Sequence, residues 1–115
     1  MIVRNPYALL KLNDSLFASV ASYDEETSET VVPNGETWIV RAFAGSASRL
    51  DDNVASLVWD YGGAGETILA ATHGDAVIHL AETITGDGSK ILAIVLTNDT
   101  GAARVMGGQW QAERD

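Results

Sequence analysis

Turn punctuation constrains this chain more than any other feature of its sequence. Clusters of turn-forming residues recur at short intervals: Pro33-Asn34-Gly35, Asp51-Asp52-Asn53, Gly62-Gly63-Ala64-Gly65, His73-Gly74-Asp75, Gly86-Asp87-Gly88 and Asn98-Asp99-Thr100-Gly101. Each joins residues that reach positive φ to residues whose side chains bond their own backbone. The runs between them, about six to nine residues rich in Val, Ile, Thr and aromatics, are too short for stable helices and have the spacing of an antiparallel sandwich or barrel. Strands are expected at Leu16 to Tyr23, Glu29 to Val32, Thr37 to Ala44, Val54 to Asp60, Thr67 to Thr72, Ala76 to Leu80, Lys90 to Asn98 and Ala102 to Ala112. The fold class is therefore all-β: an antiparallel β-sandwich, eight-stranded and of jelly-roll type.

Alternation assigns faces within these runs, because successive strand residues point to opposite sides. Ala55, Leu57, Trp59 and Tyr61 share one apolar face, as do Ala76, Ile78 and Leu80, which places His79 beside Val77 on the other side. Trp38 with Val40 and Ala42 forms a further core comb. The run from Ile91 to Leu96 is apolar on both faces, the mark of a central strand whose outer side is also covered. Its cover is either another part of the chain or a partner, and Leu92, Ile94 and Leu96 are the candidate outward, partner-binding residues.

At 115 residues the chain fits one domain with one core. Residues 1–14 form an N-terminal arm or first edge segment, and residues 15–115 the sandwich. The start carries Ile2, Val3, Tyr7, Leu9, Leu10 and Leu12 with Arg4 and Lys11, and has no carboxylate side chain until Asp14. These six apolar residues are the second candidate partner-binding group. Cysteine is absent, which excludes disulfides and thiolate chemistry. Sixteen acidic residues against seven basic ones give a formal charge of −9, so nucleic acid, with its phosphate backbone, is not an expected partner. No window approaches the roughly 18 consecutive apolar residues of a membrane span and no secretory leader is apparent, so a soluble, uncleaved protein with no membrane partner is expected.

Catalytic, cofactor and metal sites are all read as none. There is no Gly-x-Ser-x-Gly elbow, phosphate loop, His-Glu-x-x-His or calcium loop. His73 with Asp75 reads as a turn and its cap, Asp60 as a surface residue at a strand end, and Asp87 as part of a tight hairpin. Trp38 and Trp110 are the residues that would serve a sugar-binding surface, although core or edge packing is the expected role of each.

The stretches VVPNGETWIVRAFAGSA, ASLVWDYGGAGETILAATHGD and TGDGSKILAIVLTND resemble small β-sandwich structural proteins of tailed bacteriophages, of the kind that decorate capsids or sit at the tail tip. The likeness covers about residues 31 to 98 and lies in strand length and turn type, with no catalytic motif. It implies a non-enzymatic virion protein made in the host cytoplasm: a capsid decoration or cement protein that binds the major capsid protein or other virion subunits, with a homo-oligomer, such as a trimer, among its forms. A tail or fibre adhesin domain for a host receptor, or a carbohydrate-binding β-sandwich module, is the alternative.

Overall fold

A computed structural model of the chain describes residues 11–115, and the described residues contain no helix. Eight strands follow one another as β1 (Lys11–Val20), β2 (Asp24–Val31), β3 (Thr37–Ala47), β4 (Asn53–Trp59), β5 (Thr67–Thr72), β6 (Ala76–Thr85), β7 (Ile91–Asn98) and β8 (Arg104–Arg114). They form two four-stranded antiparallel sheets, ordered β1-β8-β3-β6 and β2-β7-β4-β5. Only the β4–β5 connection stays within one sheet; every other turn carries the chain across to the opposite sheet. Two interleaved sheets connected in this way form a jelly roll. The Gly86-Asp87-Gly88 turn is consequently a crossover between β6 and β7 and not the hairpin that its composition suggests.

Every expected strand is present, and the larger differences in extent are at β1, β2 and β6, the last running past Leu80 to Thr85 because it stays paired with β3 back to Thr37. Asp24 to Glu29, rich in carboxylates, extends β2 well before Glu29 because the whole segment pairs with β7, from Asp24 opposite Asn98 to Val31 opposite Ile91. Strand β1 begins at Lys11, so residues 11–14 belong to the sandwich, pairing with β8 from Glu113 to Trp110. At the neighbouring edges of the two sheets, the Ser28 hydroxyl donates to the Asp14 carboxylate at 2.6 Å.

The core is the space between the sheets. Trp110, Phe43, Leu57, Leu92, Ile94, Leu96, Met106, Val20, Val32 and Val40 are fully buried there, and Leu12, Leu16, Trp59, Ile78 and Leu80 pack against them from partly buried positions. The expected inward residues Leu57, Trp59, Ile78 and Leu80 are all in this cluster. Two glycines face each other at its centre: Gly45 of β3 pairs with Gly108 of β8. A Cβ on Gly108 would stand 2.7 Å from Ile94 Cγ2, and one on Gly45 would stand 1.8 Å from Thr72 Oγ1, both on the opposite sheet. The sheets approach closely because these two positions carry no side chain.

One end of the sandwich is closed by buried asparagines. The Asn98 side-chain amide donates to the carbonyls of Val20, Ala21 and Ala102, while its Oδ1 accepts from the Thr100 amide and hydroxyl. Asn98 thus fixes the β1–β2 and β7–β8 turns to each other. Asn53, its register partner on β4, donates to the Arg49 carbonyl and the Asp51 carboxylate, which also pairs with Arg104 at 2.8 Å. At the opposite end the Asp87 carboxylate accepts from the Ser89 and Lys90 amides and the Ser89 hydroxyl, and these bonds hold its pKa below the ordinary carboxylate value.

Two predictions follow from these contacts. Gly45→Ala should destabilise the domain by about 1–3 kcal/mol through overpacking, and adding Thr72→Ala, which removes the clashing hydroxyl, should recover part of that loss in chemical denaturation. Because the folded-state pKa of Asp87 is depressed, its stabilising contribution is present above the ordinary carboxylate pKa and is lost as pH falls through the depressed one. Asp87→Ala should therefore melt below wild type at neutral pH, and the gap should close once the carboxylate is protonated.

Candidate functional site

Each sheet presents one outer face. On the β2-β7-β4-β5 sheet, register decides which residues of β7 point outward. Leu92, Ile94 and Leu96 pair with Trp59, Leu57 and Ala55, the inward residues of β4, and all three are completely buried in the core. Their expected role as outward partner-binding residues is incorrect. Both combs of β7 are apolar, and the bulkier one fills the space between the sheets, leaving Ile91, Ala93 and Val95 outward. Leu12, from the other candidate group, also packs against the main core. Ile2, Val3, Tyr7, Leu9 and Leu10 lie outside the described residues.

The cover of this outer face comes largely from the chain itself. Val58, Ala93 and Val95 form a second buried cluster, and Tyr61 and Ile91 pack against it. Tyr61 departs from the expected comb with Ala55, Leu57 and Trp59 because Asp60 adopts a left-handed conformation, φ 55°, and redirects the chain at the end of β4. The Asp60 carboxylate then caps the turn, accepting from the Gly65 amide at 3.0 Å. Burial pushes the Tyr61 phenol above its ordinary pKa, and the charges of Glu25, Glu29 and Glu66 push it further. Beside this cluster Val31 is 50% exposed and Ile68 is 65% exposed, register partners of Ile91 and Val58 respectively. The result is an apolar surface with nearby carboxylates, and it lies at the end of β2 that neighbours the start of β1: the Asp14–Ser28 bond sets Lys11 and Val31 three residues beyond it on their strands.

The β1-β8-β3-β6 sheet has a different outer face. A bulge at Arg41 gives β3 one residue more than β8 between Val40 and Ala42 and reverses the facing of the strand. Trp38 and Val40 point inward before it; Phe43, Gly45 and Ala47 point inward after it. The expected comb of Trp38, Val40 and Ala42 is therefore broken, and Ala42 and Ala44 face outward. Together with Val77 and His79 of β6 and Gln109 and Gln111 of β8 they line a groove of about 190 Å³. On β1 the face continues as Asn13, Ser15, Phe17 and Ser19. Phe17, 65% exposed, lies over Gly107, where a Cβ would stand 2.2 Å from its ring. At one end the face closes with the exposed Arg41–Glu113 ion pair at 3.4 Å.

The remaining expected residues fall outside these surfaces. Trp38 and Trp110 stack on each other inside the sandwich, ring centroids 5.8 Å apart, and are 3% and 1% exposed, so neither is a ligand platform. The His73 ring nitrogen Nδ1 lies 3.0 Å from the Asn53 carbonyl, and the Asp75 carboxylate accepts from the Ala47 amide. Among the described residues no three metal-ligating side chains converge. The groove was not legible in the sequence, since its floor depends on a bulge that alternation does not reveal.

No protein-family model matches the chain, and no curated protein matches it. Solved structures do. The chain is similar to the Yersinia pseudotuberculosis-derived mitogen, with 11% identity, a TM-score of 0.57 and coverage of 90% of this chain and 86% of that one. It also aligns with PirA, at 12% identity, TM-score 0.42 and coverage of 84% and 92%. A third alignment is with infectious bursal disease virus Gx strain, at 11% identity and TM-score 0.39, covering 90% of this chain and 31% of that one. At such identity the likeness to the mitogen bears on the fold alone, which is a small all-β sandwich.

Proposed function

We propose that this chain is a non-enzymatic structural protein of a phage particle, a decoration or cement protein that docks on the shell through the outer face of its β2-β7-β4-β5 sheet. The observation that carries this reading is the apolar surface formed by Val31, Ile68, Tyr61 and Ile91 near Glu25, Glu29 and Glu66. Such a surface fits a shell subunit presenting apolar side chains with lysine or arginine beside them, because the carboxylates steer the approach and the apolar contact supplies the affinity. The resemblance of residues 31 to 98 to phage β-sandwich proteins points to the same class of partner.

Residues 1–10 supply the second half of the anchor. Ile2, Val3, Tyr7, Leu9 and Leu10 are apolar, Arg4 is basic, and the segment has no acidic side chain in a chain of net charge −9. It joins β1 at Lys11, at the Val31 end of the docking surface. The major capsid protein is the proposed partner, and many copies distributed over a shell would oppose outward pressure by summed contact. The protein would then reside on the particle surface after synthesis in the host cytoplasm.

Val31 and Ile68 are largely exposed, so Val31→Asp with Ile68→Asp should leave the melting temperature near wild type while weakening co-sedimentation with particles stripped of the protein by at least about tenfold. Deletion of residues 1–10 should weaken it likewise and leave a folded domain. Normal co-sedimentation of the double variant, or absence of the protein from purified particles, would exclude this anchor.

A further inference from the structure

We infer that the groove over β3, on the outer face of the β1-β8-β3-β6 sheet, binds one ring-sized unit of a neutral oligosaccharide. This inference does not depend on the particle reading, and the groove lies on the face opposite the proposed anchor. Its shape comes first. Ala42 and Ala44 form a low floor, while Gln109 and Gln111 on one flank and Val77 and His79 on the other rise from strands two spacings apart, about 9–10 Å. A volume of about 190 Å³ is below the roughly 300–1,000 Å³ of sites for drug-sized ligands, so it suits a single ring.

The chemistry of the flanks selects the ligand. The side chains of Gln109, Gln111 and His79 make no hydrogen bond to any other described residue, whereas Asp14, Asp60, Asp75, Asp87, Asn53 and Asn98 are each committed to partners within the fold. Each glutamine amide offers two donors and an acceptor, a set that matches neighbouring sugar hydroxyls. From Phe17 across to Gln111 and His79 the face carries no carboxylate, lysine or arginine, although the chain has sixteen acidic residues. The neighbouring cation, Arg41, borders Gln111 outside the groove and is paired with Glu113 at 3.4 Å, so no unpaired cation lines the groove to hold a sialate, uronate or sulfate. One residue pair along β8 from Gln109, the exposed Phe17 ring over Gly107 supplies an apolar surface for the C–H face of an adjoining sugar.

An extended peptide fits the same groove poorly. The backbone groups of β3 are engaged with β8 on one side and β6 on the other, so a peptide lying along β3 would find no ladder to join and would cover its own polar backbone without partners. A sugar ring needs only the side-chain amides.

The full-length protein should be examined by saturation-transfer NMR and titration against neutral hexasaccharides of glucose, mannose and galactose, oligogalacturonates, and an uncharged Ser/Asn/Gly peptide. At least one neutral hexasaccharide should bind with a Kd of about 1 mM or tighter. The Gln109→Ala, Gln111→Ala double variant should bind it at least about tenfold more weakly, and Ala44→Leu, which fills the floor, should abolish binding, both at wild-type melting temperature. Phe17→Ala should weaken longer oligomers more than a monosaccharide. Absence of binding by every neutral sugar, binding of the peptide or the oligogalacturonates in their place, or retention of neutral-sugar binding in both groove variants would overturn the inference. Because none of these measurements involves particles, failure here and failure of the anchor are separate results.

Discussion

The distance between the two sheets governs this structure, and it is set where Gly45 and Gly108 lie side by side on β3 and β8. Paired sheets ordinarily stack about 10 Å apart, with side chains from both inner faces interdigitating. Here Ile94 and Thr72 reach into space that a methyl group on either glycine would occupy. The same close approach leaves Phe43 and Trp110, the next inward pair along β3 and β8, to fill the volume beside that line, and both are buried to within 1%. The bulk of β7 that points inward, Leu92, Ile94 and Leu96, is positioned by this geometry, and the smaller outward comb follows from it.

Polar groups complete what the core begins. A jelly roll must turn from one sheet to the other at nearly every connection, so its ends hold many backbone groups that no ladder satisfies. Asn98 serves three carbonyls and two donors from a fully buried position, and Asp87 gathers two amides and a hydroxyl at the opposite end. These side chains do locally what a hairpin hydrogen bond does in a simpler sheet. Not every buried group is satisfied: Thr72 Oγ1 and Trp110 Nε1 have no partner, and the first sits where Gly45 approaches most closely.

The eight strands were legible because turn residues and β-branched runs alternate cleanly, and the inward placing of Leu57, Ile78 and Leu80 followed from period-two patterning. Three things were not legible. Strand order was hidden, since a Gly-Asp-Gly turn has the same composition whether it closes a hairpin or crosses between sheets. The facing of β7 was hidden because both of its combs are apolar, so only the register against β4 distinguishes Leu92 from Ala93. Trp110 sits among glycines and glutamines with no apolar comb beside it, yet it is central to the core because Gly108 and Ala112 flank it on the inner face. The apolar outer surface was partly legible, as the doubly apolar β7 did mark the sheet with a covered outer side; its composition from Tyr61, Val31 and Ile68 depended on the left-handed Asp60 and on strand pairing.

The bulge at Arg41 has an evolutionary meaning. Side-chain facing in a strand is a matter of parity, and one inserted residue changes the parity of everything after it. Phe43 is a core residue and Ala44 a surface residue only because Arg41 stands between them and Val40. The outer surface of β3 is therefore accessible to insertion and deletion as well as to substitution: loss of a single codon would exchange a phenylalanine for two alanines across the sheet, removing the groove and a piece of the core together. Surface and interior are coupled at this point through strand length, and an insertion or deletion here cannot alter one without the other.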